Sequence, residues 1–306
     1  MSGQHRIPTL FCINKAYAQH AAVCIVSLLE NNPDLAFDLL VVTTEPLGTA
    51  GDKLKRNFLP YPNSTLRIVE FNDTVSVNLP LGGHYAKETY VRLWLADFFT
   101  ADANRILYLD SDMVVVGSIA ELWKTDIGDA VLGAVTIPGS TRCAPCGVPE
   151  AFGYFQAGVL VINLKKWREL EIPSVLSRWI NQNYEKIVDV DQDVLNACLY
   201  DRRHPLPFIW NVIAPFYFNY HPLLISDAEI HATRRNARII HFNGPSKPWH
   251  YLNRHPRRAE YWKYLTLTEW RDYVPPDKSI VNWGKRTVAP FVPDRMRRLL
   301  KAAISR

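Results

Sequence analysis

The chain centres on the stretch Ile106-Leu107-Tyr108-Leu109-Asp110-Ser111-Asp112-Met113-Val114-Val115-Val116. One apolar run precedes two closely spaced carboxylates, and a second apolar run follows them. The first run is short and bounded by polar residues, which is typical of a buried strand. Ligands of an open α/β sheet bind just beyond the carboxyl ends of its strands. Because two neighbouring carboxylates repel each other, the pattern favours a divalent cation at Asp110 and Asp112. The alternative is a solvated turn, since Asp and Ser also favour turns.

The sequence on both sides alternates between strand and helix patterns. Strands are predicted at 8–13, 37–42, 66–70, 106–109, 130–136 and 154–163, and helices at 17–32, 49–58, 87–99, 164–183 and from 191 onward. We expect the helix at 164–183 to break at Pro173. Beyond Pro205 the sequence is rich in aromatic residues and proline and has no clear period. The alternation predicts an α/β fold with a mostly parallel central sheet flanked by helices.

Composition narrows the class of protein. The hydrophobic content of 48% over 306 residues is ample for a core. No stretch approaches the eighteen or so apolar residues that a membrane span needs. The residues from Met1 to Arg6 lack the apolar centre of a secretion signal. Five scattered cysteines favour a reducing compartment, so we expect a cytoplasmic protein.

Positive charge is concentrated at the C-terminus. From Lys285 to Arg306, seven basic residues stand against Asp294, a net charge of +6, while the rest of the chain holds 28 basic and 29 acidic residues. The body of the protein is therefore not expected to bind nucleic acid. Residues 271–306 are predicted to form a tail with a basic amphipathic helix. This helix would lie on an anionic membrane surface at the inner face of the plasma membrane. A solvated C-terminal helix is the alternative.

Three further stretches place polar or small residues at positions where they could serve a function. Ala157-Gly158 lies inside a predicted strand, where a glycine marks either a close approach or a bulge. Asp191-Gln192-Asp193 opens a helix, and taken alone its carboxylates are more typical of caps. His241 follows an apolar pair and precedes Gly244, Ser246 and Lys247, a combination that can bind phosphate and complete an Asp/Asp/His metal site. A lone His at a strand end is otherwise more often structural.

Cys143-Ala144-Pro145-Cys146 also has a spacing associated with chemistry. Such a pair can be redox-active or form half of a zinc site. No second pair follows it, and no predicted helix begins at Cys143 to lower the thiol pKa. We therefore interpret this segment as a loop rather than a redox or zinc site.

Five motifs in order make the chain resemble the family-eight retaining glycosyltransferases, which include lipopolysaccharide galactosyl- and glucosyltransferases and glycogenin. The resemblance covers residues 11 to about 264. The motifs are Tyr90-x-Arg92-Leu93, Leu107-Tyr108-Leu109-Asp110-x-Asp112, Ala157-Gly158-Val159-x-Val161-Ile162-Asn163-Leu164-Lys165-Lys166-Trp167, Asp191-Gln192-Asp193-x-Leu195-Asn196 and His241-x-x-Gly244-x-x-Lys247-Pro248-Trp249.

The resemblance implies a GT-A fold, Rossmann-like, over residues 1–270, which binds a UDP-hexose and Mn²⁺ or Mg²⁺. It implies that Asp110, Asp112 and His241 hold the metal, and that Asp191 and Gln192 form the catalytic pair at the reacting carbon. The implied substrate-binding residues are Asn14 and Tyr17 at the uridine, Arg92 at the donor, Asp110, Ser111 and Asp112 at the metal, Gln156, Ala157 and Gly158 at the sugar, and Gly244, Ser246 and Lys247 at the diphosphate.

Three positions depart from the pattern of the bacterial galactosyltransferases. Those enzymes usually have Asp near Asn14, Asn at Gln156 and an acceptor-contacting Asp at Ile137. The departure at Asn14 affects the expected contact with the base. The departure at Gln156 affects the identity of the sugar and the contact with the acceptor, and the departure at Ile137 affects the acceptor. No Tyr is assignable as a self-glucosylation site, so the chain does not resemble glycogenin itself.

The function implied by the resemblance is the metal-dependent transfer of glucose or galactose, with retention, to a saccharide or lipid-linked saccharide of a surface glycan such as lipopolysaccharide. Two alternatives remain at this point. Leu109-Asp110-Ser111-Asp112-Met113-Val114 also fits a haloacid-dehalogenase phosphatase in which Asp110 is phosphorylated. Nine Trp residues also permit a non-enzymatic carbohydrate-binding protein, although aromatic residues more often pack cores.

Overall fold

A seven-stranded sheet flanked by helices forms the centre of the computed structural model, which describes residues 6–71, 88–218 and 223–288. The strands are β1 (Ile7–Cys12), β2 (Phe37–Thr43), β3 (Thr65–Glu70), β4 (Arg105–Leu109), β5 (Met113–Val115), β6 (Leu132–Thr136), β7 (Phe155–Asn163), β8 (Arg203–Leu206) and β9 (Ile239–His241). The large sheet has the order β3-β2-β1-β4-β7-β6-β8, and β5 pairs with β9 in a sheet of their own.

The large sheet is mostly parallel, as predicted. β1, β2, β3 and β4 run in one direction, and β6 and β8 are parallel to each other. β7 is antiparallel to both of its neighbours, β4 and β6. The carboxyl ends of β1 and β4 therefore lie beside the beginning of β7, at one edge of the sheet. In open α/β sheets, ligands bind just beyond the carboxyl ends of the strands.

Ten α-helices accompany the strands in the described part of the chain. They are α1 (Ala18–Glu30), α2 (Thr49–Phe58), α3 (Glu88–Val91), α4 (Ala120–Lys124), α5 (Leu164–Glu169), α6 (Ile172–Asn183), α7 (Val190–Leu199), α8 (Asp227–Asn236), α9 (Arg258–Leu265) and α10 (Ile280–Val288). Nearly all of α1 is buried, because it contacts β5, α2 and α9. Along residues 6–71, 88–218 and 223–288, no helix has both the length and the apolar character of a membrane span.

The alternating pattern of β4 builds the core on both faces of the sheet. Leu107 and Leu109 pack in one hydrophobic cluster, and Ile106 and Tyr108 pack in the cluster on the opposite face. All four side chains are buried, since successive residues of a central strand point to opposite covered faces. The buried strand ends at Leu109, and Asp110 is the first residue after it.

Three local expectations differ from the structure. The helix predicted at 87–99 is α-helical only over Glu88–Val91 and continues as a 3₁₀ helix over Arg92–Phe98, with a kink at Trp94. The break predicted at Pro173 lies earlier, at Leu170 and Glu171, because proline is tolerated in the first turn of α6. α8 and α9 lie in the stretch beyond 205 for which no helix was predicted.

The helix predicted from the C-terminal hydrophobic stripe at 296–304 lies outside the described residues. α10 precedes that stripe. It carries an exposed apolar surface, with Ile280 88%, Val281 66% and Trp283 59% exposed.

Candidate active site

A cavity of 620 Å³ lies beyond the carboxyl ends of β1 and β4. Most of the predicted site residues line it, although they come from distant parts of the chain. Gly158 and Ser246 are not part of its wall. The predicted residues in the lining are Asn14, Tyr17, Arg92, Asp110, Ser111, Asp112, Gln156, Ala157, Asp191, Gln192, His241, Gly244 and Lys247.

Asp110, Asp112 and His241 form a cluster of potential metal ligands. Their ligand atoms all lie within 4.8 Å of one another. His241 Nε2 is 3.2 Å from Asp112 Oδ1 and 3.9 Å from Asp110 Oδ2. The antiparallel pairing of β5 with β9 sets His241 opposite Met113, next to Asp112. Two carboxylates and one imidazole are a donor set that suits Mn²⁺ or Mg²⁺.

A second contact orients the His241 ring. Its Nδ1 lies 3.0 Å from the side-chain oxygen of Asn211, a fully buried residue. With the proton on Nδ1 this contact is a hydrogen bond to the Asn211 oxygen, and the lone pair of Nε2 would then be available to a bound cation. Asn211 therefore holds the ring in the orientation in which Nε2 faces Asp110 and Asp112. Asn211 was not predicted as a site residue, because no motif marks it.

Gly158 leaves the space that this cluster occupies. A Cβ atom at that position would meet His241 Cε1 and Met113 Cε at 2.6 Å and Asp110 Oδ2 at 2.8 Å. The pairing of β6 with β7 also shifts register beside it, between Ala134 and Val135. Both interpretations of the glycine are thus correct: a strand irregularity is present, and the glycine permits close approach.

Two buried cations neutralise the carboxylates of the cluster. Lys247 Nζ lies 2.6 Å from Asp112 Oδ2 and also donates to the Phe242 carbonyl. Arg92 Nη2 lies 2.9 Å from Asp110 Oδ1. Burial raises the pKa of Asp112, but Lys247 and His241 together outweigh burial and hold that pKa well below its usual range. Asp112 is therefore ionised and ready to act as a ligand at neutral pH.

Asp191 does not cap its helix. It lies within α7 and is 2% exposed, and its Oδ2 is 2.9 Å from Arg92 Nε. Burial raises the pKa of Asp191 to about 7, with Arg92 opposing that shift. The expectation of a cap is wrong here because the turn before α7 directs Asp191 inward. Arg92 thus bridges Asp110 and Asp191, two carboxylates from different motifs.

Gln192 and Gln156 are fixed by hydrogen bonds to the β7 backbone. Gln192 Oε1 accepts from Ala157 N at 3.0 Å, and Gln156 Oε1 accepts from Gly158 N at 2.6 Å. Arg92 Nη1 donates to the Ala157 carbonyl at 2.9 Å. The Ala157-Gly158 step is therefore held by three side chains.

The first turn after β1 carries Asn14 and Tyr17. The Asn14 side chain accepts a hydrogen bond from Tyr17 N and so caps the 3₁₀ turn. The Tyr17 ring meets the Trp249 ring edge-on, with centroids 6.0 Å apart. Trp249 in turn stacks on His20 at 3.4 Å. The turn at Asn14 is thereby linked to the loop that carries Lys247.

The loop after β9 contains Gly244, whose φ of 88° favours glycine. Ser246 is exposed, and its hydroxyl accepts from Asn253. The structure therefore brings Gly244 and Lys247 to the cavity but turns Ser246 away from it.

A buried carboxylate with several hydrogen-bond donors lies behind the cavity wall, and this cluster was not predicted from the sequence. Asp193 is fully buried and accepts hydrogen bonds from Arg142, Cys146 and Tyr154. Arg142 and residues 137–141 line the cavity, whereas Cys143 and Cys146 do not. Burial raises the pKa of Cys146 to about 12, so this thiol is not a ready nucleophile.

Comparison with known proteins defines the class. The structure of the galactosyltransferase LgtC, with donor and acceptor sugar analogues, superimposes with a TM-score of 0.75 and 27% identity, covering 89% of this chain and 98% of that one. General stress protein A of Bacillus subtilis is 28% identical over 85% of this chain and 93% of its own length. Lipopolysaccharide 1,3-galactosyltransferase of Salmonella typhimurium is 28% identical over 84% of this chain and 77% of its own length.

The fold matches that of the galactosyltransferase LgtC and is the GT-A fold of glycosyltransferases. Residues 8–253 match the family model of glycosyl transferase family 8, and the chain belongs to that family. Because the chain belongs to this family, the phosphatase and the carbohydrate-binding alternatives are not retained. Family membership also agrees with the position of Asp110, whose Oδ1 is occupied by Tyr108 and Arg92.

Proposed function

We propose that the protein transfers glucose or galactose from a UDP-hexose to a hydroxyl group of a saccharide acceptor, with retention of configuration and with Mn²⁺ or Mg²⁺ as cofactor. The observation that carries this proposal is the Asp110, Asp112 and His241 cluster beside Lys247 in one cavity. Family membership supports glycosyl transfer, and the named activities of several relatives support a hexose.

The charges in the cavity wall are consistent with a divalent cation and a diphosphate. Three basic and four acidic side chains line the cavity, so the wall carries a net charge of −1 when all of them are ionised. A cation at Asp110, Asp112 and His241 would supply positive charge for the two phosphates of the leaving group. The charged residues of the wall are Arg92, Asp110, Asp112, Arg142, Asp189, Asp191 and Lys247.

Lys247 and Arg92 would act on the donor in different ways. Lys247 is 9% exposed at its side chain and reaches the cavity, so it would stabilise negative charge that develops on departing UDP. Arg92 is tied to Asp110, Asp191 and the Ala157 carbonyl, so it would orient the donor contacts. The Asn14–Tyr17 turn would meet uridine, and Gly244 would let the backbone approach the diphosphate.

Retention requires either a protein nucleophile or attack from the face that the leaving group vacates. Gln192 is an amide and a poor nucleophile, and it is held against Ala157 N. Asp191 is buried against Arg92. We therefore favour front-face attack, in which the acceptor hydroxyl is guided by the leaving phosphate and Gln192 steadies the positive charge of the sugar.

The acceptor is proposed to be a lipid-linked saccharide of a surface glycan, such as lipopolysaccharide, and the protein to work at the cytoplasmic face of the plasma membrane. Several relatives are named for lipopolysaccharide glycosyl transfer. The exposed apolar residues of α10, together with the basic tail, support attachment to anionic lipid. In this proposal residues 1–270 form the transferase domain and residues 271–306 form the membrane-association tail.

Donor use is tested by measuring UDP release from UDP-glucose and UDP-galactose with Mn²⁺ and without acceptor. We expect slow hydrolysis of one of them, which stops when EDTA removes the metal. Hydrolysis that is unchanged in EDTA, or none with either donor, would contradict the proposal.

Membrane attachment is tested by sedimentation with vesicles of anionic or of neutral lipid. The full chain should bind the anionic vesicles at low salt and leave them at high salt. A chain that ends before Lys285 should stay in solution yet still hydrolyse the UDP-hexose. Equal binding of both chains would refute a role for residues 285–306.

A further inference from the structure

The carboxylate of Asp193 joins three segments that meet behind the cavity. Its Oδ1 accepts from the Tyr154 hydroxyl at 2.6 Å, from the Cys146 thiol at 3.1 Å and from Arg142 Nε at 3.2 Å. Its Oδ2 accepts from Arg142 Nη2 and from two backbone N–H groups at 2.8 Å, those of Val188 and Asp189. Both oxygens are saturated, so Asp193 is not available to attack a sugar.

Each donor belongs to a segment that forms part of the site. Arg142 and Cys146 lie on the loop after β6, whose residues 137–142 line the cavity. Tyr154 directly precedes β7, and Gln192 Nε2 approaches its hydroxyl at 3.4 Å. The two backbone donors form the turn that leads into α7, where Asp191 and Gln192 lie. One buried carboxylate therefore ties the loop at 137–148 to the helix of the proposed catalytic pair.

Arg142 is the residue of this cluster that both lines the cavity and pairs with Asp193 of α7. Its side chain is 21% exposed and lines the cavity, while its guanidinium makes a two-point pair with the buried carboxylate. The same guanidinium donates to the Lys186 carbonyl. Removing it would leave Asp193 with its other four donors, so we expect the loop to loosen while α7 keeps its place.

We infer that Arg142 and Asp193 are positioning residues, a clamp that holds the wall at 137–142 against α7 and keeps water from the reacting carbon. This inference rests on the proposed function, because it assigns the wall to the acceptor side of that same site. A transferase must favour the acceptor hydroxyl over water, and an ordered wall is one way to exclude water. Among the described residues, the proposed nucleotide contacts at Asn14–Tyr17 and Lys247 share no hydrogen-bond partner with the clamp.

The clamp is tested with Arg142→Ala, compared with Arg142→Lys and with Arg105→Ala. Arg105 is a matched control, since it donates to the Thr125 carbonyl outside the cavity. Without acceptor, Arg142→Ala should hydrolyse the UDP-hexose about tenfold faster, at an unchanged KM for the donor. Arg142→Lys should lie between Arg142→Ala and the wild type, and Arg105→Ala should match the wild type.

Hydrogen exchange provides the second measurement. Arg142→Ala should speed amide exchange at 137–148 and leave the 14–17 and 243–250 segments unchanged. If wild-type protein hydrolyses no UDP-hexose, the proposed function fails, and the exchange data still test the clamp. If the wild type is active and Arg142→Ala changes neither the hydrolysis rate nor the exchange at 137–148, the clamp is refuted. A donor KM that rises together with the rate would also refute it.

Discussion

Asp112→Asn distinguishes the two roles that we propose for one carboxylate. Asp112 belongs to the metal-ligand cluster and is also the partner of buried Lys247, at 2.6 Å. The substitution is nearly isosteric, so it removes a charge without opening a cavity. We expect metal affinity to fall, and the rate of UDP-hexose hydrolysis to fall by roughly 10²-fold or more, because a main source of transition-state stabilisation is lost.

The same substitution should also reduce stability. The side chains of Lys247 and Asp112 are only 9% and 12% exposed. Breaking a buried pair by removing one partner costs about 3–5 kcal/mol, and asparagine keeps an oxygen that can accept from Lys247, so we expect about 3 kcal/mol. For a domain of this size that loss lowers Tm by about 6 °C. The melting should be measured in EDTA, so that metal binding does not contribute.

Adding Lys247→Met to Asp112→Asn separates the two effects. Methionine retains the apolar stem of the lysine and removes the unpaired charge, so the double variant should recover most of the lost stability. Its activity should stay as low as that of the single variant, because the ligand is still missing. Asp38→Asn is the control, since its pair with Arg67 is exposed and contributes little.

Two outcomes would refute this reasoning. Full Mn²⁺-dependent activity of Asp112→Asn would show that Asp112 is not a ligand. A double variant as unstable as the single one would show that the Lys247 charge does not cause the loss of stability. Mn²⁺ titration by calorimetry measures the affinity directly, and we expect weaker binding for both variants.

Three other predictions concern different parts of the site. Burial lowers the pKa of His20 to about 3, so the unfolded chain binds more protons between pH 3 and 6.5, and stability falls as the pH drops through that range. His20→Phe should remove about 2 kcal/mol of the difference in unfolding free energy between pH 7.5 and pH 5; an unchanged difference would contradict the shift. Gly158→Ala should weaken Mn²⁺ binding by about 10- to 100-fold, because its Cβ collides with the metal cluster, whereas Gly284→Ala, which meets nothing within 4 Å, should bind normally. Gln192→Ala should slow the reaction but leave UDP affinity nearly intact; an equal loss of both would place Gln192 at the nucleotide.

Much of the fold follows from local patterns. The strand at Ile106–Leu109, the alternation of strands and helices and the mostly parallel sheet were all predicted from apolar periodicity, which acts over a few residues. The helix at 87–99 was only partly correct, since its second half is a 3₁₀ helix that begins at the buried Arg92. α8 was missed, although Ser226 and Glu229 form a capping box that marks its start.

The site likewise has residues that were predicted from the sequence and contacts that only the tertiary structure makes. Asp110 and Asp112 were predicted from the sequence alone because both follow one apolar strand. His241 and Lys247 were candidates from the pattern of their loop, but taken alone His241 was more typical of a structural residue, and the resemblance assigned it to the metal. Only the tertiary structure brings His241 beside Asp112, because that contact depends on the pairing of β5 with β9, more than a hundred residues apart. The bridge of Arg92 between Asp110 and Asp191 likewise joins separate motifs. Side-chain contacts of this range depend on how the whole sheet packs, and no local pattern records them.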